Sequence, residues 1–250
     1  MSLALLKLPA IYKLFTEPEH LLAALRIIFY CIGTVHIEAR TLPIGGSYWQ
    51  AVDIGERVIA GILLVIAQPV IFVSALIVAL LSRRSPFIAH RRVGREGRII
   101  WVLKLRTMWD GSPGGPFRLV ERLPPTPLQS VAVKTRHDPR VKSKFAAACR
   151  RYSIDELPQL WNVLEGDLSL VGPRPLTRDE IDVYYAEDGA ELLTRKPGIT
   201  GLWQICGRSR LTYSQRRKLD LFMIRKWSLG LYSKILFTTI PNVLLGKDAY

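Results

Sequence analysis

The chain has 250 residues, room for one large domain or two small ones with a real core, and carries 35 Lys and Arg against 21 Asp and Glu, a formal net charge of +14. That excess suggests an anionic partner, nucleic acid, phospholipid head groups or a polyphosphate substrate, yet 49% hydrophobic residues are high for a soluble nucleic-acid binder and point first to a membrane surface. Cys31, Cys149 and Cys206 form no CxxC pair, and His20, His36, His90 and His137 lack ligand spacing, so neither a zinc site nor a disulfide framework is indicated.

Met1–Phe15 (MSLALLKLPAIYKLF) has lysines inside its apolar stretch and no small-residue cleavage site, so it does not read as a signal peptide. Leu21–Val35 is apolar but short and interrupted by Arg26, which predicts an interfacial or core helix. Val58–Leu81 (VIAGILLVIAQPVIFVSALIVALL) has no charge and, at about 1.5 Å per residue, covers a hydrocarbon core of roughly 30 Å. Pro69 at its middle, preceded by Gln68, removes a backbone hydrogen bond and predicts a kink. Two geometries stay open on these residues: a straight span, and a helix that enters one leaflet, turns at Gln68-Pro69 and leaves on the same side. Arg83, Arg84, Arg91 and Arg92 mark the following end as cytoplasmic, whereas Asp53, Glu56 and Arg57 give the other end no direction.

Pro86–Met108 reads as two β-prone runs about a Gly94-Arg95-Glu96-Gly97 turn, a small hairpin. Lys104 and Arg106 share one strand face, as solvated charges or as ligands. Asp110–Pro127 is a Pro/Gly-rich connector, and Lys142–Trp161 reads as helix, break, helix. Pro197–Arg208 (PGITGLWQICGR) is a glycine-rich loop that is neither a P-loop nor a dinucleotide fingerprint. Towards the C-terminus, Leu219, Phe222, Met223 and Trp227 fall on one helical face among Arg216, Arg217, Lys218, Arg225 and Lys226. Such a helix lies in the head-group region or packs on a soluble core.

Arg150–Pro175 (RRYSIDELPQLWNVLEGDLSLVGPRP) places Asp155 and Glu156 between two arginines and an apolar run. Ser153 and Glu156 fit a capping box, but Pro158 would then break an intrahelical bond; with Asp155 as cap, Pro158 falls in the first turn and Gly166 ends the helix. Either register puts both acids at a helix start, where the dipole favours an ionised carboxylate and free N–H groups bind phosphate. Arg150, Arg151 and Arg174 add charge-assisted contacts to a diphosphate, and two carboxylates facing a diphosphate need a cation such as Mg²⁺ between them. Phosphoryl transfer at a membrane and plain capping both remain open on this local chemistry.

Seven pieces in order resemble one known family, the bacterial sugar transferases, monotopic polyprenyl-phosphate phosphoglycosyl transferases. They are the proline-interrupted helix, RRVGREGR, KLRTM, DPRV, SIDELPQLWNVLEGDLSLVGPRP, KPGITGLWQICGR and KLDLFMIRKWSLGLYSKIL, running from Arg57 to about Ile240. The resemblance implies an α+β, mostly α, monotopic membrane protein. Its parts would be an N-terminal extension (1–54), a re-entrant membrane helix broken at Gln68-Pro69 (55–84), and a catalytic domain with a small β-hairpin and interfacial amphipathic helices (85–250) on the cytoplasmic face of the bacterial inner membrane. It implies transfer of a sugar phosphate from a nucleoside diphosphate sugar, usually UDP-linked, to undecaprenyl phosphate with release of UMP, the first membrane step of polysaccharide or glycoconjugate synthesis. Asp155 would be the nucleophile that carries a covalent phosphosugar, and Glu156 the residue associated with Mg²⁺. Lys104, Arg106 and Arg174 would hold substrate phosphate beside Arg150 and Arg151. Asp220 matches a functionally important acid, and Gly198, Gly201 and Arg208 lie in a matching motif.

The chain departs from the family where Val58-Ile59-Ala60 follows Arg57 in place of the usual acid, which leaves the helix without its customary anchor. It departs also at Gln68-Pro69 for Ser-Pro, at KLRTM for KFRTM, and near Tyr232-Ser233, where an acid is usual. Expected partners are the nucleotide sugar, the polyprenyl phosphate and membrane lipids, with no nucleic acid; a homo-oligomer is left open. The alternative is a membrane scaffold of a polysaccharide assembly complex that has lost catalysis, against which the intact Asp155-Glu156 pair argues.

Overall fold

A 36-residue helix, α1 (Ser47–Ser82), opens the part of the chain that the computed structural model describes, residues 47–109, 119–123, 140–207 and 211–245. The Leu21–Val35 stretch lies outside the described residues. α1 begins within the segment expected to be an extension, contains the whole apolar run and stays helical through Pro69. Its buried positions Glu56, Ala60, Leu64, Ile71, Ala75, Val78 and Ser82 follow one helical stripe. Val58, Ile62, Val65, Ile66, Val70 and Val73 form an apolar face with Val65 72% exposed, an uncovered surface of the kind that meets lipid. By length and composition α1 is able to cross a membrane.

Both ends of α1 are tied into the same folded body. Near its start, Glu56 Oε1 accepts from the Tyr232 hydroxyl (2.5 Å), from the Ser169 hydroxyl (2.6 Å) and from the Leu170 N–H (3.2 Å). Asp53 pairs with Lys196, and with Arg57 at 3.1 Å. Arg57 in turn lies over Gly166, where a Cβ would fall 2.3 Å from its Nη2. Past the other end, Ser85 sits within hydrogen-bond reach of the Phe87 and Leu119 carbonyls, and its own carbonyl accepts from Arg106 Nε at 2.8 Å. The anchor that seemed lost after Arg57 is therefore supplied by acids on the turn before it.

The expected hairpin is β1 (Phe87–Val93) and β2 (Ile99–Leu105), antiparallel and joined by a 3₁₀ turn at Arg95–Gly97. The turn needs left-handed backbone at Glu96 (φ 58°) and Gly97 (φ 78°), and Gly97 supplies it without a Cβ. Within the supposed connector, β3 (Val120–Leu123) pairs parallel to β1, giving the order β2-β1-β3. Its four residues are too short for alternation to stand out against flanking prolines.

Helix α2 (Lys144–Arg151), capped by Ser143, leads through a break to α3 (Gln159–Glu165), as expected. A second sheet pairs β4 (Ser169–Val171) in parallel with β5 (Gly198–Thr200), inside the stretch read as a loop. Between them run α4 (Arg178–Tyr184) and the single turn α5 (Gly189–Leu192); after them come α6 (Leu202–Ile205), α7 (Tyr213–Arg225) and α8 (Leu229–Leu244). α7 departs from the lipid-facing reading. Met223 is fully buried with Val171, Tyr232 and Ile235, whereas Phe222 is 52% exposed, because the core takes Asp220, Leu221, Met223 and Ile224 instead. α8 does expose apolar side chains, Leu229, Phe237 and Ile240.

Replacing Glu56 by Ala removes one acceptor from three buried donors and is expected to lower stability by about 3 kcal/mol. Thermal unfolding in detergent should show it as a reduced Tm; an unchanged Tm would mean that α1 is held elsewhere.

Candidate active site

The acidic pair lies in the break between α2 and α3, not inside a helix. Ser153 adopts left-handed backbone (φ 56°) and makes no side-chain cap, so the capping box does not form. Ile154–Glu156 form a 3₁₀ turn, Pro158 takes the cap position of α3, and Gly166 closes that helix in the left-handed region (φ 87°), as expected. Pro158 has no N–H, so regular helix bonding starts beyond it and the two acids stay in a separate turn.

Asn162 of α3 fixes this turn against the hairpin. Its Oδ1 accepts from Leu103 N–H (3.0 Å) and its Nδ2 donates to the Trp101 carbonyl (2.8 Å), which satisfies the outer edge of β2. Lys104 Nζ then reaches Glu156 Oε1 at 2.7 Å. A small cleft opens here, lined by His90 and Arg92 of β1, Val102 and Lys104 of β2, Glu156 and Gln159, Arg174 and Pro175, Gly198 and Ile199 of β5, and Gln204 of α6.

Arg174 reaches the cleft because two backbones cross in contact. Gly172 N–H donates to the Thr200 carbonyl (2.8 Å) and Gly198 N–H to the Pro173 carbonyl (2.9 Å). A Cβ on Gly198 would fall 2.1 Å from Gly172 N, and one on Gly201 would fall 2.4 Å from the Gly172 carbonyl oxygen. These glycines serve close approach; the same crossing aims Pro-Arg-Pro at the site.

The structure thus brings Lys104, Glu156, Arg174 and Gly198 together. Asp155, in the same turn, is 8% exposed and does not line the cleft; the buried Cys149 thiol is pushed up to about 11 by burial and then by the Asp155 charge. Arg106 is 5% exposed, and its guanidinium is bound to the Ser85 carbonyl and Glu121, so it serves the fold and does not line the cleft. Arg150 and Arg151 close α2 without lining the cleft, and Arg151 lies over the Tyr152 ring at 5.7 Å. Asp220 is buried behind the site, accepting from Tyr185 Oη at 2.7 Å. Gln68 and Pro69 lie on α1, and Arg208 lies outside the described residues.

Sequence reasoning missed Arg92, His90, Gln159 and Gln204. The signal for the first two was strand alternation: His90 pairs with Val102 across the hairpin, so His90, Arg92, Val102 and Lys104 share one face. Burial, then the charges of Arg92, Lys104, Arg106 and Arg174, pull His90 down to about 3, which keeps its imidazole neutral at physiological pH. Burial also lowers the Arg92 pKa.

Residues 48–246 match the family model described as bacterial sugar transferase. The chain is 36% identical over 214 residues to the exopolysaccharide production protein ExoY of Rhizobium meliloti, covering 83% of this chain and 90% of that one. It is 36% identical over 222 residues to the UDP-glucose:undecaprenyl-phosphate glucose-1-phosphate transferase of Caulobacter vibrioides, covering 84% and 78%. It is 40% identical over 165 residues to the undecaprenyl-phosphate galactose phosphotransferase of Salmonella typhimurium, covering 64% of this chain but 34% of that longer one. The chain belongs to the bacterial sugar transferase family, and it is a transferase.

Gly198→Ala drives a methyl into backbone with no flexible side chain to yield, and should destabilise the protein by about 3 kcal/mol. A wild-type denaturation midpoint in this variant would contradict the crossing.

Proposed function

We propose that the protein moves a sugar phosphate from a UDP-sugar onto undecaprenyl phosphate in two steps, through a phosphosugar held on Asp155, with release of UMP. The observation that carries this reading is the convergence of Glu156, the residue next to Asp155 in the same turn, with three cationic side chains, Arg92, Lys104 and Arg174, on one cleft. Two relatives bear names that specify undecaprenyl phosphate, and one of those names specifies UDP-glucose.

In the first step a carboxylate oxygen of Asp155 attacks the phosphorus that bears the sugar, and the bond from that phosphorus to the bridging oxygen breaks. UMP leaves with the electron pair. In the second step an oxygen of the lipid phosphate attacks the same phosphorus and expels Asp155, leaving a lipid-linked diphosphate sugar. Both nucleophiles arrive as anions and both leaving groups depart as anions, so no proton transfer is required. The demand is for positive charge, which Arg92 and Arg174 supply while Lys104 offsets Glu156. A neutral His90 fits this economy: it offers hydrogen bonding, and its low pKa makes it no acid or base at pH 7.

The described residues contain no group of three or more His, Cys, Asp or Glu side chains placed to hold a metal ion. A Mg²⁺ would therefore be held by Glu156 together with oxygens of the diphosphate and water, the pattern this ion favours. When bound it would offset phosphate charge beside Lys104, which already neutralises Glu156 at 2.7 Å.

The reading places the site on the cytoplasmic face with α1 re-entrant. Support comes from the attachment of both ends of α1 to one domain, through Glu56 and Asp53 near one end and Ser85 just past the other, since a spanning helix would part those ends across the bilayer. The exposed apolar residues of α1 and α8 would seat the cleft near the lipid phosphates.

With a panel of UDP-sugars, polyprenyl phosphate and Mg²⁺, the wild-type protein should release UMP, and Asp155→Asn should reduce that release by at least about a thousandfold. Full activity in the variant would remove Asp155 from the mechanism; absence of UMP with every sugar would favour a scaffold.

A further inference from the structure

Beneath the cleft lies a buried acid that the two transfer steps do not use. Asp220 sits in the core-facing side of α7 with 0% exposure. Its Oδ2 accepts from Tyr185 Oη at 2.7 Å, while its Oδ1 has no hydrogen-bond partner among the described residues. A buried carboxyl with an unmatched oxygen is a liability to the core. Its position explains its presence. Arg174 from the loop after β4 and Arg216 from α7 both stand over the Trp203 ring, at 5.1 Å and 5.0 Å from its centroid. Two guanidinium groups about one indole repel each other, and each lies close enough to Asp220 to act on its ionisation.

We propose that Asp220, steadied by Tyr185, is a positioning residue that offsets the charge of the Arg174–Trp203–Arg216 stack and thereby holds Arg174 ready for the diphosphate of the donor. The proposal rests on the nucleotide-sugar reading of the cleft and adds the element that orients its principal arginine.

The charged and titratable groups around Asp220 are Arg174, Arg216 and Tyr185, with Glu180 of α4 acting on Tyr185 and Tyr213. Burial raises Asp220 to about 7, against the opposing pull of the Tyr185 hydrogen bond and the two arginines. The folded carboxyl therefore retains its proton to higher pH than the unfolded one, so its contribution to stability is full below about pH 4 and is lost as pH rises through about 7. Above pH 7 Asp220 is ionised, which costs stability and provides the negative charge that Arg174 needs.

The test is a double-mutant cycle read by calorimetric binding of UDP with Mg²⁺ at pH 8, alongside Tm and UMP release. Asp220→Asn should weaken UDP binding about tenfold while its Tm equals or exceeds that of the wild type, and the ratio of the two affinities should widen from pH 6 to pH 8. Arg174→Ala should weaken binding at least as much, and the double variant should be no weaker than Arg174→Ala. Tyr185→Phe should fall between the wild type and Asp220→Asn. Wild-type UDP affinity in Asp220→Asn, or a loss that adds in full to that of Arg174→Ala, would overturn the proposal. A wild-type protein that neither binds UDP nor releases UMP would instead overturn the donor reading, and this inference with it.

Discussion

The 2.7 Å contact between Lys104 and Glu156 is the interaction around which the site is arranged. It joins the hairpin to the turn that holds the acidic pair, and it exists because Asn162 clamps α3 to the edge of β2 on the next residues. A carboxylate this close to a lysine is an acceptable neighbour for phosphate, since the pair is neutral and the remaining cations of the cleft are left to face the ligand. Without the Asn162 clamp the 3₁₀ turn would have no fixed distance from β2, and the cleft between them would have no defined width.

A second constraint acts from below. The crossing of Gly172 over Gly198 leaves no space for a side chain, so the strand carrying Pro-Arg-Pro and the strand carrying Pro-Gly-Ile-Thr-Gly move as one piece. The same β4 gives Glu56 two of its three donors, through Ser169 and Leu170. One short strand thus connects the long apolar helix α1 at one end to Arg174 at the other. The placement of α1 and the aim of Arg174 therefore rest on the same backbone.

Much of this was legible in the sequence, for identifiable reasons. The apolar run of α1, the hairpin turn and the helix–break–helix around Asp155 have strong local signals: absence of charge, paired glycines, and a proline. The strands β3, β4 and β5 were not legible, since three or four residues display no period and their partners are distant in sequence. Of the basic residues proposed for phosphate, Lys104 and Arg174 do reach the cleft. Arg106 does not, although it continues the alternation of Lys104, because β2 ends at Leu105 and the chain turns it onto Ser85 and Glu121. Arg92 was visible as the strand neighbour of His90 on the Lys104 face, yet its position beside the membrane run suggested a topology signal instead. The anchor at Glu56 was read as an ambiguous charge, because its partners Ser169 and Tyr232 lie more than a hundred residues away.

The central claim concerns Asp155, the less exposed acid of the pair, and it is reached most directly by isolating the enzyme between its two steps. Wild-type protein incubated with a turnover-competent, isotope-labelled UDP-sugar in the absence of lipid phosphate would be digested and its peptides weighed. The account predicts one labelled phosphosugar on the peptide containing Ser153–Glu156, fragmenting to Asp155. Label on Glu156, or stoichiometric UMP release with no labelled peptide, would contradict it.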